Sequence, residues 1–327
     1  MRFAFIIAAV AALAAAGPAS AQEARPVEFH GLVQIWFTAA DSHSTFRVRR
    51  TELKATGPVM ERVRWTVQID PSKLVTLSTR SDSGVVRGVD VDNGSVLQDA
   101  ILSYEISPGW AIDAGQFKIP LTREGTASSA TLETVERALF ATAAGKFADV
   151  RDLGVRARGV AGPLELHGGL FNGVGESFNR SDANTQKALV ARAVLTALPG
   201  LALGASAAQS VGRASAGERN RWGVDASFAT DRVTLRGEVL GGRDAAVERF
   251  GYYGLAAFRV LPRLDTVLRY DAWDNGISAR EDDYVAGLSY LLDGRTTKLQ
   301  LNLVRKTFAG KLTPAQNLLL INAQAAF

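Results

Sequence analysis

Basic side chains at strand spacing are the residues of this chain whose types point to chemistry. "RDLGVRARG" places Arg156 and Arg158 two apart, and "ERVRWTVQID" does the same with Arg62 and Arg64. Residues i and i+2 share one face of a strand, about 7 Å apart. A guanidinium is always charged and offers a planar fork to phosphate or carboxylate oxygens. A wall carrying such pairs can hand an anion from one cation to the next, as rings of basic side chains do in anion pores. Arg50 joins these pairs by its parity. Lys118, Arg123, Arg137 and Arg151 join them by lying in or beside the long connection 120–152, which also carries Lys146. These residues form the candidate solute-binding set.

Acidic residues temper that reading. Glu52, Asp99, Glu165, Glu238, Asp265 and Asp271 fall on the same parity as the arginines, a set that also includes Arg192, Arg236, Arg259 and Arg269. Opposite charges across neighbouring strands pair readily. Placement, rather than net charge, must therefore decide selectivity. Catalytic chemistry finds little support. The three histidines, His30, His43 and His167, come with no G-x-S-x-G elbow and no H-E-x-x-H helix. The absence of cysteine removes thiol chemistry and a disulfide framework, and with so few histidines no cofactor or metal site of the usual kind is expected. "NGVGES" (172–177) lacks the Lys-Ser/Thr of a phosphate-cradling loop and reads as a turn. A net charge of +4 without a basic block gives no case for nucleic acid.

Strands must position these side chains. Alternation of apolar and polar residues marks strands at 27–38, 46–56, 61–70, 97–106, 109–119, 153–161, 164–172 and 188–197. It marks eight more at 201–211, 221–229, 232–241, 251–260, 263–272, 283–292, 296–306 and 317–327. In 27–38, Phe29, Val33, Ile35 and Phe37 share the apolar face; in 221–229, Trp222, Val224 and Phe228 do. The facing of 109–119 stays open, because Gln116 and Lys118 share a parity with Trp110 and Ile112. Connections after even strands are tight and rich in Gly and Pro; those after odd strands are longer and polar. A soluble sandwich has no reason to sort its connections by parity, whereas a barrel crossing the outer membrane does. The sequence thus predicts an all-β fold, a sixteen-stranded antiparallel transmembrane barrel with both termini on the periplasmic side. Connection 120–152 is the third external loop, expected to fold into the lumen, and its "ATLETVERALFATAAG" reads as a short helix.

The amino terminus fits export. Residues 1–21 combine Arg2, an apolar core and Ala19-Ser20-Ala21, and are expected to be a cleaved signal peptide. Residues 22–327 then form a single barrel domain, with outer-membrane lipid as its surroundings. Phe327 ends the last strand at the membrane surface, where an aromatic ring is favoured.

Several stretches taken together resemble the phosphate-selective porin family. They are "FRVRRTELKATG", "LQDAILSYE", "AGQFKIPLTRE", the Glu136-Arg137 pair, "RDLGVRARG" and the terminal "QAAF". The resemblance spans most of the expected mature chain, in order. It implies a sixteen-stranded barrel, a homotrimer, and a lumen whose basic side chains guide small phosphate-like anions. The chain is short for that family, with trimmed external loops. A general, weakly selective diffusion pore is the alternative within the same class, and a barrel enzyme or adhesin the alternative outside it.

Overall fold

The alternating segments close into an antiparallel barrel in the computed structural model, which describes residues 26–40, 43–74, 76–82, 85–92, 96–173, 184–212, 218–310 and 313–327. The expected signal peptide and residues 174–177 of "NGVGES" lie outside the described residues. The wall begins with β1 (Glu28–Ala40), β2 (Ser44–Met60) and β3 (Val63–Ile69). A separate two-stranded sheet, β4 (Thr76–Asp82) with β5 (Val85–Asp92), interrupts the series within the second long connection. The wall resumes with β6 (Leu97–Ser107), β7 (Trp110–Lys118), β8 (Arg151–Ala161), β9 (Leu164–Phe171) and β10 (Lys187–Leu198). Then come β11 (Leu201–Val211), β12 (Arg219–Ala229), β13 (Val233–Asp244) and β14 (Val247–Leu261). β15 (Leu264–Asp274), β16 (Glu281–Asp293), β17 (Thr297–Phe308) and β18 (Gln316–Ala326) complete it. The sixteen wall strands follow chain order around the ring, and β18 pairs with β1. Each expected strand is present.

The outward face carries the predicted apolar set: Phe29, Val33, Ile35, Trp222, Val224, Phe228, Tyr284 and Leu288 are exposed on the outside of the wall. The opposite face is buried and polar, with Gln34, Arg50, Gln68, Asp113, Glu238, Asp271 and Asn302 on it. Closure removes sheet edges, so backbone groups along the wall pair with neighbouring strands without needing water. The seam is finished by a reciprocal pair: Gly31 N–H donates to Phe327 O (2.9 Å) and Phe327 N–H to Gly31 O (3.1 Å). The Phe327 ring lies over Gly31, 2.2 Å from where a Cβ on residue 31 would stand, so a larger residue there would push the ring aside. At about 1 kcal/mol for each hydrogen bond, deleting Phe327 should shift seam closure by ~30-fold. Gel mobility of unheated samples checks this: the folded, heat-modifiable fraction should fall sharply, and an unchanged fraction would refute it.

Three local features depart from strict alternation. On β2 the register against β1 steps from Gln34↔Arg50 to Ile35↔Val48, leaving Arg49 as an extra residue in a β-bulge. On β7, Gly115 has φ of +131°, with Ala100 O only 2.0 Å from where its Cβ would be. Asp113 is buried before it, while Gln116 and Lys118 take the buried polar partners after it. The polar positions change parity there, which explains why period-2 reasoning left this strand open. Finally, Arg62 belongs to the turn before β3 rather than to a strand.

Two of the long connections shrink. Those after β1 and β13 span only 41–43 and 245–246, because both hairpins zip further than the alternation suggests. The strict alternation of short and long connections therefore fails at these two places. It holds for the connections after β3, β7, β9, β11, β15 and β17.

Candidate functional site

Segment 119–150, between β7 and β8, organises the site. Its base is closed by Ile119 N–H donating to Val150 O at 3.0 Å. Side chains of the buried wall face then take up its backbone. Glu238 on β13 accepts from Arg123 N–H (2.9 Å) and Glu124 N–H (3.0 Å). Asn302 on β17 accepts from Val135 N–H (2.7 Å), and Asp271 on β15 from Leu139 N–H (2.8 Å). Lys298 donates to Leu132 O (2.5 Å), Arg269 to Glu136 O (2.8 Å), and Gln324 on β18 to Ala130 O (2.8 Å).

These bonds account for a correction. The helix expected across "ATLETVERALFATAAG" is absent except for one α-helical turn, Leu139–Thr142, and the end of a 3-10 turn, Ser129–Thr131; Arg123–Thr126 forms another α-helical turn just before that stretch. A helix needs each N–H for a carbonyl four residues back. Here the wall supplies acceptors at Val135 and Leu139 and donors at Leu132 and Glu136. Tertiary partners replace the local ladder. The apolar residues of the same stretch still bury themselves as expected. Phe140 packs on Tyr253 (ring centroids 5.9 Å) and Phe147 on Trp273 (5.6 Å), in one cluster with Leu139 and Leu240.

Because the segment leans on β13 to β18, a space of about 720 Å³ remains between it and β1, β2, β3, β6 and β7. Seven basic residues line it: Arg49, Arg50, Lys54, Lys73, Lys118, Lys146 and Arg151. Four acidic residues do so too: Glu52, Asp99, Glu136 and Asp149. The bulge on β2 is the reason for the basic excess. It re-phases the strand so that Phe46 and Val48 stay on the exposed apolar face while Arg49 and Arg50 both line the space. Trp36 floors this corner, with the guanidinium carbons of Arg47 and Arg49 5.0 and 5.1 Å from its ring centroid. Arg50 donates to Gln34 Oε1 at 2.7 Å. Arg49 reaches Glu136 of the segment at 3.5 Å.

The candidate residues divide accordingly. Lys118, Arg151 and Arg50 line the space. Arg151 donates to Asp99 at 2.7 Å; Lys118 forms an ion pair with Asp149 at 2.6 Å and donates to Gly125 O and Ala127 O, each at 3.0 Å. Arg137 is 1% exposed and acts as a strut: it donates to Glu124 O, Ala127 O (2.7 Å) and Ser129 Oγ (3.1 Å), with Asp149 3.5 Å away. Arg123 is outside the lining, its backbone held by Glu238. Arg156 (2.5 Å) and Arg158 (2.8 Å) converge on one oxygen of Asp113, and Arg156 also stacks 4.5 Å from Phe117. They do not line the space. The Arg62/Arg64 ladder does not form, because Arg62 is in a turn and Arg64 pairs with Glu28 at 3.1 Å. Sequence reasoning passed over Arg49, Lys54 and Lys73. Lys54 was within reach, since it shares the parity of Arg50; Lys73, beyond the end of β3, gave no signal. Among the described residues no group of His, Asp or Glu is placed to hold a metal ion.

Two carboxylates of the segment are electrostatically fixed. Burial opposes the charge of Asp149, but Lys118 and Arg137 outweigh it and hold its carboxyl well below the usual carboxylate range. Burial likewise opposes Glu136, and Arg49 and Arg50 bring its carboxyl below the ordinary value. A depressed pKa gives stability that is complete above the unfolded value and lost as pH falls through the folded one. Asp149→Asn should therefore increase open-channel current noise by the same margin at pH 6.5 and pH 5. The gap to the wild type should start to close only below about pH 4. A gap that closes between pH 6.5 and pH 5 would contradict this assignment.

The comparisons with known proteins agree with this architecture. The sequence pattern of the family described as phosphate-selective porin O and P matches residues 35–238. No curated protein matches the chain in sequence. Among solved structures, the chain is similar to the anion-selective porin from Comamonas acidovorans, with a TM-score of 0.64 at 14% identity over 92% of this chain and 99% of that one. It is similar to the trimer form of OmpT from Vibrio cholerae, with a TM-score of 0.63 at 12% identity over 92% and 99%. The outer membrane channel DcaP of Acinetobacter baumannii gives 0.59 at 14% identity over 92% and 97%. A sixteen-stranded barrel with an apolar outer face and a polar inner one, matched by a porin family over more than half its length, leaves one conclusion: this chain belongs to the phosphate-selective porin O and P family, and is a channel of the bacterial outer membrane rather than an enzyme.

Proposed function

We propose that segment 119–150 lies within the lumen as its constriction, and that small anions of the phosphate class cross through the basic space beside it. The observation that carries this reading is the pairing of Arg49 and Arg50 at the β2 bulge, opposite Lys118 and Arg151. Anions in that space meet cations from both the wall and the segment. Fixed charges in a narrow, partly dry passage act through a lower effective dielectric than at an open mouth. Guanidinium groups suit phosphate oxygens because the fork matches their geometry. The longer connections, including those after β3, β7 and β9, then face outside, and the tight turns face the periplasm. The assembly in the membrane is a homotrimer, as one structurally similar porin is described to be.

A weakly selective pore is the second reading, favoured by the four carboxylates in the same lining. Planar-bilayer recordings separate the two. The reversal potential in a salt gradient should show anion preference, and added phosphate should reduce chloride current in a saturable way. A reversal potential near zero with no phosphate block would establish the weakly selective pore instead.

A further inference from the structure

The outer surface of the barrel carries a second feature, apart from the basic space beside β2. Along β13 to β18 lies a concavity of about 880 Å³, to whose lining Arg236 and Arg269 also contribute. Small residues form its floor: Gly254, Ala256 and Ala286. A Cβ added at Gly254 would meet nothing within 4 Å, so the floor is open rather than filled by a neighbour. Leu268 and Leu303 rise beside it and are 59% and 57% exposed, as lipid-facing residues must be.

One end of the concavity is marked chemically. A continuous aromatic strip runs from β12 to β16 on the outer face. Its ring centroids are 6.4 Å apart for Trp222–Phe250, 5.9 Å for Phe250–Tyr252, 5.9 Å for Tyr252–Tyr270 and 5.1 Å for Tyr270–Tyr284. Aromatic girdles sit at the membrane–water interface, and the strip ends on Tyr270 and Tyr284 of the concavity wall. Arg305, two residues beyond Leu303 on the same parity of β17, points out at this level. Its guanidinium donates to Asn317 Oδ1 at 3.5 Å, and among the described residues no carboxylate lies in ion-pair range of it. By contrast, the nearby Arg280 is held by Asp282 at 3.1 Å, and Arg243 is paired with Glu248.

We propose that this groove binds one phosphorylated, acylated lipid of the outer leaflet, with an acyl chain along Gly254, Ala256 and Ala286 and a phosphate on Arg305. The occupant must be apolar along its length and anionic at one end. It must also be flexible enough to fill an uneven floor. A lipid meets all three requirements. A second copy of the chain would instead have to present a ridge shaped to the groove and an acid at the level of Arg305. Guanidinium–phosphate recognition supplies the headgroup contact, and burial of methylenes supplies the rest.

Native mass spectrometry of the full-length protein in detergent tests this with three probes: a diphosphorylated, hexa-acylated glucosamine disaccharide, the same lipid without phosphates, and inorganic phosphate. The wild type should hold one phosphorylated lipid per chain. Arg305→Gln should weaken that lipid about fivefold and leave the dephosphorylated one unchanged. Gly254→Leu combined with Ala286→Leu should weaken both lipids by about tenfold or more. Lys54→Gln, in the lumen, should change neither. Bilayer conductance of the groove variants should match the wild type, so the lipid site and the anion passage stand or fall separately. Equal lipid affinity in all variants would overturn the proposal, as would displacement by inorganic phosphate at equal concentration. A photo-crosslinker at Ala286 that captures a second copy of the chain in membranes would overturn it as well.

Discussion

Reversing Arg49 and Lys54 to glutamate is expected to turn the passage from anion-preferring to cation-preferring. Both residues line the same space from β2. Lys54 is exposed and Arg49 half-buried, so charge reversal there does not strand a charge in the protein interior. The double change moves the wall by four units of charge and tips a lining of seven basic and four acidic residues to an acidic one. A unit charge acts on an ion 4 Å away with ~1 kcal/mol in water and ~4 kcal/mol at an effective dielectric of ~20. Salt screens beyond about 8 Å, which spares the narrow passage. The anion-to-cation permeability ratio should therefore fall by at least about tenfold, the equivalent of ~1.4 kcal/mol. Reversing Arg158 should do much less, because its side chain is 44% exposed outside this space and shares Asp113 with Arg156. Reversal potentials in a potassium chloride gradient give both numbers. Equal shifts at the two sites would mean that the passage does not run beside β2.

Arg137→Met should free the segment from its moorings without unmaking the barrel. The guanidinium is fully buried and binds the carbonyls of Glu124 and Ala127, Ser129 Oγ and the carboxylate of Asp149. Methionine fills most of the volume but donates nothing. Two carbonyls and part of a carboxylate lose their partners, a loss of ~3–5 kcal/mol for a buried charge-assisted network. The sixteen-stranded ladder does not involve this residue, so heat-modifiable protein should reach the membrane in ordinary amounts. If the segment is the constriction proposed above, single-channel conductance should rise and become noisy as it moves. Arg137→Lys should recover little, since a single ammonium cannot span three separate acceptors. Normal conductance with low noise in Arg137→Met would show that the wall contacts from Glu238, Asp271 and Asn302 suffice alone.

The wall of this protein is decided by its sequence. Period-2 alternation between wet and greasy faces is a local property, readable wherever one face meets lipid and the other a polar interior. Phe29, Val33 and Ile35 announce β1 as plainly in sequence as in space. The ring order needs only that neighbours in sequence pair and that the last strand meet the first. Family membership was legible for a related reason: motifs such as "AGQFKIPLTRE" and "RDLGVRARG" are contiguous.

Only the tertiary structure decided which cations share a space. A single inserted residue at Arg49 shifts the facing of everything before it on β2, and the register that reveals it belongs to the partner strand. Gly115 likewise changes the parity of β7 through a backbone angle that composition does not announce. The fate of 119–150 depended on Glu238, Asp271 and Asn302, each more than a hundred residues away in sequence. Helical periodicity gave way there because hydrogen-bond partners on the wall were available to a backbone that alone would have bonded to itself. Arg156 and Arg158 looked like a ladder because their spacing is local. They prove to be bound to one buried carboxylate, Asp113, because charge pairing is settled by distance in space and not along the chain.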